Sequence, residues 1–163
     1  MALGQLYEDL VRRGSVGIFE FAPDELLGTV ESVDTATVIV RIENEDKLRG
    51  LQVNHLISIQ SSKIGQHLIG LVSKIIRKSV YSEPIDDLSP DPSFNIVKVI
   101  LIGTHFDRNA GKENVFCRSL STVPTINAEC YLIHGDRLKR FMQTVSSVPE
   151  GEDAVSLKIG NYS

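Results

Sequence analysis

The stretch Leu26–Asn44, LLGTVESVDTATVIVRIEN, decides the fold. In its second half Val38, Val40 and Ile42 recur at every second position, and a period of two belongs to a β-strand with one face covered. Asp34 to Ala36 interrupts the run with turn-forming residues, so the stretch reads as two strands on a tight turn.

Outward from this hairpin the same period returns. HLISIQ (55–60), with Leu56, Ile57 and Ile59, and HLIGLVSKIIRKSVY (67–81) supply two more strands, the second long enough to bend or bulge at Gly70. FNIVKVILIGTHFD (94–107) is apolar on both faces around Val97 to Ile102, the pattern of a strand covered on both sides. ENVFCRSL and INAECYLIHG add two more. Seven or so strands, with no long helix between consecutive ones, imply a mainly β domain: a small antiparallel barrel or a compact sandwich. That pattern excludes a Rossmann or P-loop core within the chain.

Two helices flank the strands. Leu3, Leu6, Tyr7 and Leu10 fall at i, i+3, i+4 and i+7, one face of a short N-terminal helix ended by Gly14. This face is core or a docking arm. Near residues 136–146, Asp136 caps DRLKRFMQTV, whose Leu138, Phe141, Met142 and Val145 form an apolar face expected to pack on the core. Arg137, Lys139 and Arg140 fall elsewhere, as solvated surface or, alternatively, as a DNA contact. The organisation expected is a helical arm at 1–14, a barrel domain at 15–148, and a linker with a short strand at 149–163. Between arm and barrel, GSVGIFEFAPDE carries Ile18, Phe19 and Phe21, which insert as a short strand or hook onto a neighbour.

Ile100–Phe116, ILIGTHFDRNAGKENVF, tests for a nucleotide site, because an apolar strand runs into glycine, a polar loop and Gly-Lys. A phosphate-binding loop needs G-x-x-x-x-G-K-[ST] so that successive backbone N–H groups close around a phosphate. Gly103 and Gly111 are too far apart, and Glu113 follows Lys112. Asn109 to Lys112 reads instead as the turn of a long hairpin.

Lys and Arg total 17 against 21 Asp and Glu, net −4 over 163 residues, so no global positive field draws nucleic acid to the whole surface. No apolar run approaches a membrane span and no signal segment is present, so the expected location is cytoplasmic. Cys117 and Cys130 lie in separate strands without metal-site spacing and read as buried free thiols. His55, His67, His105 and His134 are scattered. His105 and Asp107 form an i, i+2 pair able to share a face, but no nucleophile accompanies them, and a strand end entering its turn explains the pair equally well. In YSEPIDDLSPDPSFN, residues 81–95, prolines and the acids Glu83, Asp86, Asp87 and Asp91 make a long loop, a plain connection or a partner contact that includes Ile85. The acids lack the alternation and turn glycine of a calcium site.

LLGTVESVDTATVIVRIEN, NHLISIQ and the closing LKIGNYS together resemble the N-terminal barrel (HAS-barrel) of the HerA family of hexameric ATPases. In that family a pattern like Leu27-Gly28-Thr29-Val30 opens the barrel, and one like Leu157-Lys158-Ile159-Gly160 leads toward a RecA-like ATPase core. Leu157, Ile159 and Gly160 are then the link to that core. The resemblance implies a hexameric ring and a face for an effector, a NurA-like nuclease in DNA end processing or a sirtuin-like NAD-degrading enzyme in anti-phage defence. It also implies that full-length members are DNA translocases or helicases. Walker A, Walker B and arginine-finger motifs lie downstream in the family and do not occur here. The chain is therefore expected to be no enzyme by itself and to hold no cofactor or metal, with ATP and Mg²⁺ confined to a missing core. The contact candidates for a partner or a second copy are Leu6, Tyr7, Leu10, Ile18, Phe19, Phe21, Glu83, Ile85, Asp86 and Asp87. An OB-like nucleic-acid-binding barrel is the alternative, with RKSVY (77–81) and FDRNAGK (106–112) as its nearest basic-aromatic matches.

Overall fold

The alternation in the sequence becomes a closed wall. In a computed structural model, which describes residues 17–77, 95–107 and 114–146, the strands are β1 (Leu26–Asp34), β2 (Thr37–Ile42), β3 (Leu56–Gln60), β4 (Gln66–Ile76), β5 (Asn95–Phe106), β6 (Val115–Cys117) and β7 (Glu129–Ile133). Two helices, α1 (Glu45–Arg49) and α2 (Gly135–Ser146), accompany them. The strand order is β2-β1-β7-β3-β4-β5-β6, and β2 also pairs with β5. Six strands thus close on themselves as an antiparallel barrel, with β6 outside the ring on β5. Closure is what an antiparallel sheet with an apolar face needs, since it leaves no edge within the ring.

The opening hairpin turns at Thr35 and Ala36, and Val38, Val40 and Ile42 are each wholly buried in the interior. Val30, Ile57, Ile59, Leu68, Val72, Val97 and Val99 fill the same core. Helix α1 was not expected from the sequence. Its Asn44 cap accepts the Asp46 N–H at 2.9 Å, and the short turn delivers Leu48 to the interior cluster, which Leu51 also joins. Register shifts occur between Val30 and Ser32, between Leu26 and Gly28, between Ile69 and Gly70, and between Val72 and Lys74. Such bulges add local twist and help a small sheet curl shut.

Strand β5 departs from the expectation of two covered faces at Val97 to Ile102. Val97, Val99 and Leu101 are buried, but Lys98 is exposed and Ile100 keeps 43% of its surface in water. Coverage on both sides begins only further along, where Gly103, Thr104 and His105 are all buried. The cause is a second apolar cluster outside the barrel, built from Ile18, Phe19, Ile69, Ile133 and Phe141, which overlies only that end of the strand. The apolar packing is thus divided between an interior and an outer layer.

Helix α2 matches its expected position, but its apolar face is only half covered. Phe141 is buried and Leu138 half-buried, while Met142 is 52% and Val145 37% exposed. Cys130 is buried as expected, with its thiol pushed up by burial, whereas Cys117 is half-exposed. Among the described residues, no helix is long and apolar enough to cross a membrane.

The contrast between Ile59 and Ile100 is measurable. Ile59→Ala should lower unfolding stability by about 2–5 kcal/mol through lost burial and a cavity, whereas Ile100→Ala should stay within about 0.5 kcal/mol. Urea unfolding of both variants reads this, and equal losses would contradict the exposed outward face of β5.

Candidate functional site

The extra residue Ile102 in β5 builds the outer layer. Ile69 pairs with Gly103 and Gly70 with Leu101, so Ile102 is unmatched and the alternation of β5 inverts beyond it. His105 then lies directly opposite His67, on the face that carries Ile69 rather than in the interior. Asp107, two residues on, bridges the two rings: His105 Nε2 is 3.0 Å from Oδ1, and His67 Nε2 is 3.3 Å from Oδ2. The Ile18 N–H donates to Oδ1 at 3.3 Å. Burial would push the Asp107 carboxyl up, but the hydrogen bonds from His105 and His67, with their charge, outweigh it and hold the group well below the usual carboxylate range. Gly17 leaves room beside it, because a Cβ there would meet the Asp107 carboxylate and displace it from its partners.

Ser58 Oγ lies 3.4 Å from His67 Nδ1, so Ser58, His67 and Asp107 form a hydroxyl–imidazole–carboxylate chain. The order matches a nucleophile, base and orienting acid. Ser58, however, has no exposed surface and His67 only 7%, while Phe19 packs on His67 with ring centroids 5.2 Å apart. A substrate carbonyl cannot reach this hydroxyl while the outer layer is in place, and the chain of groups acts as a buried tie. His105 Nδ1 is buried without a hydrogen-bond partner, so the ring meets polar groups only on its Nε2 side, at Asp107.

A second tie joins α2 to the entry segment. Arg137 donates to both carboxylate oxygens of Glu25, at 2.6 and 2.9 Å, and to the Glu20 carbonyl at 2.6 Å. Its guanidinium lies 4.6 Å from the centroid of Phe21, which stacks in turn on Tyr131 at 4.3 Å. The Arg137 hydrogen bonds, then the Ala22 N–H, hold Glu25 below the usual carboxylate range. Arg137 is therefore half-buried in this tie rather than the solvated surface residue that the sequence offered.

Among the described residues, two groups of apolar side chains are of interest as open surface. One is a groove of about 400 Å³ on the outer wall, lined by Leu56, Ile102, Phe116, Phe141, Met142 and Val145, with Arg118 among its lining residues. The other occupies two loops joined by a 3.4 Å contact between the Ser61 and Thr122 hydroxyls. Ile64 is fully exposed on the first loop, and Leu120 (38%), Val123 (57%) and Ile126 (57%) are exposed on the second. The second loop is braced. Thr104, itself wholly buried, donates to the Ser119 carbonyl at 3.0 Å and accepts the Ser121 N–H at 3.3 Å, and Pro124 is buried.

Of the contact candidates read from the sequence, Ile18 and Phe19 are buried in the outer layer at 4% exposure each. They hook onto their own barrel rather than a neighbour, because Asp107 fixes the backbone there and Phe141 closes over Phe19. Phe21 is half-buried under Arg137. Leu6, Tyr7, Leu10, Glu83, Ile85, Asp86, Asp87, Leu157, Ile159 and Gly160 lie outside the described residues, as does the Gly111–Lys112 turn. Gly103 lies within β5 against Phe116 and the Cys117 carbonyl, where no phosphate could approach it. His105 and Asp107 do share a face, as their spacing allowed. His67 and Ser58, their partners, carried no local signal. Among the described residues, no group of three or more His, Cys, Asp or Glu side chains is arranged to hold a metal ion. No protein-family model matches the chain, and no curated protein matches it.

Asp107→Ala should lower stability by about 3–5 kcal/mol at neutral pH, the loss expected when one member of a buried ionic network is removed. The native carboxyl titrates below its unfolded value of about 3.9, so its contribution is complete above that value and is lost as pH falls through the native one. Unfolding curves from pH 7 to pH 2 should therefore show an acid limb in the unsubstituted protein that is flattened in Asp107→Ala. An unchanged acid limb would contradict the role given to Asp107.

Proposed function

We propose that this chain is an assembly and partner-docking barrel, of the kind that its sequence resembles at the N-terminus of HerA-family ATPases. The observation that carries this reading is the set of exposed apolar side chains Ile64, Leu120, Val123 and Ile126 on two loops that meet at Ser61 and Thr122. Apolar side chains on adjoining loops mark an interaction surface when they are held out rather than folded in. The Thr104 hydrogen bonds and buried Pro124 hold the second loop in that posture, which lowers the ordering cost of association. The buried Ser58–His67–Asp107–His105 network supports the same reading, since its polar groups act within the fold.

In the full-length setting the barrels would sit on a hexameric ring of a DNA translocase and receive a nuclease or a sirtuin-like effector, in end processing or anti-phage defence. ATP and Mg²⁺ would belong to the ATPase core. The OB-like alternative draws less support, because Phe19, Phe21, Phe116, Phe141 and Tyr131 pack on other rings of the outer layer, at centroid distances of 4.3–6.1 Å. Base stacking needs such faces free.

Light scattering tests the patch. The chain, alone or mixed with a NurA-like nuclease or a sirtuin-like enzyme, should form a particle heavier than one protomer. Ile64→Asp combined with Val123→Asp should reduce it to the lone protomer with the thermal midpoint unchanged, since both side chains are exposed. An assembly that ignores the double substitution, or a native chain that neither self-associates nor binds either effector, would overturn the proposal.

A further inference from the structure

The groove beside α2 uses different residues from the patch and calls for a different occupant. We propose that it is covered by this chain's own segment Val155–Ile159, VSLKI, laid as an added strand along β6 with Val155, Leu157 and Ile159 turned onto the groove. Four observations favour that occupant. First, β6 is the terminal strand of the sheet and pairs, among the described residues, only with β5, so its outer edge can accept another strand. Second, Phe116 of β6 and Met142 and Val145 of α2 line the groove next to that edge, and Met142 and Val145 are exposed.

Third, the connection is long enough. Helix α2 ends at Ser146, one residue past a groove-lining side chain, and residues 147–154 can extend at most roughly 26–29 Å, sufficient to double back. The sequence VSLKI alternates apolar and polar, so that laid down as a strand its three apolar side chains would share one face and Ser156 and Lys158 the other. Fourth, charge is complementary. Glu150, Glu152 and Asp153 precede the segment, and Arg118 at the groove makes no ion pair among the described residues.

Seated there, the segment would bury the exposed part of the α2 face and fix the direction in which the chain leaves the barrel. The groove would then serve the chain itself, and effectors would use other surfaces. This inference needs no HerA relationship: it holds or fails by where residues 155–159 lie.

The half-exposed Cys117 of β6 supplies the test. Alternation places it on the face opposite Phe116, the face that Ser156 and Lys158 would share. Ser156→Cys and Lys158→Cys, oxidised mildly, should each be assayed for a disulfide with Cys117. The proposal expects at least one to form a cross-link within a single chain, seen as a faster monomer band on a non-reducing gel, and expects Met142→Asp to suppress it. Deleting residues 150–163 should separately speed amide exchange at Val115–Cys117 while the exchange of β2 stays unchanged. Cross-links found only between chains would make the occupant a neighbouring copy's tail and overturn the proposal. So would the absence of any cross-link together with unchanged exchange at β6, which would leave the groove to the N-terminal segment or a foreign partner.

Discussion

One unmatched residue in β5, Ile102, governs the outer half of the molecule. Without it the alternation of Val97, Val99 and Leu101 would continue through His105 and Asp107 and aim both into a barrel filled with Val, Ile and Leu. A one-residue slip moves every later side chain to the opposite face. The bulge therefore takes His105 and Asp107 out of the apolar interior and sets them facing His67 across the β4–β5 pairing. That pair then holds the entry segment, and the entry segment brings Phe19 over the histidines and under Phe141.

Asp107 shows how such a layer is held without a large apolar area. Its carboxylate is mostly removed from water, which alone would favour the neutral acid. Two imidazole Nε2 atoms and the Ile18 N–H face its oxygens, and its own N–H donates to the Gly65 carbonyl at 2.8 Å. The β3–β4 turn, the end of β5 and the segment at Gly17 are thus tied at one residue. The Glu25–Arg137 pair makes a second tie, between the Pro23–Glu25 turn and α2. Both ties fix direction where apolar packing is non-directional.

The division between what the sequence made legible and what it hid follows from range. The hairpin, the interior face of β2 and the position of α2 are written in local period and turn chemistry, and each was readable, whereas the irregularity expected at Gly70 has its extra residue, Ile102, on the partner strand β5. Helix α1 carried a local signal as well, Asn44 followed by Glu45 and Asp46, but five residues are too few for periodicity to register. His67 and His105 stand 38 positions apart in number, and only the β4–β5 register brings them together. Ile100 was misread for a related reason. A continuous apolar run states that a strand is apolar, while the extent of the layer above it depends on Ile18, Phe19 and Phe141, distant in the chain.

The same reasoning separates the two exposed apolar surfaces. The stripe Leu138, Phe141, Met142 and Val145 has the correct helical period, yet the period fixes only that these residues share a face, not how much wall lies beneath them. The wall ends after Phe141, leaving a concave surface next to an open strand edge, and both features suit an extended segment whose side chains alternate. The Ile64 and Leu120–Ile126 loops offer no strand edge, and the second is braced in place by side-chain hydrogen bonds from beneath. A loop held in place in this way suits a preformed partner, because little of it must be ordered on contact. A groove with an unpaired backbone edge instead rewards a segment that orders on arrival, since main-chain hydrogen bonds form only once the strand is laid down. A tether of a few residues favours that second event by raising the local concentration of the arriving strand, and α2 ends where such a tether would begin.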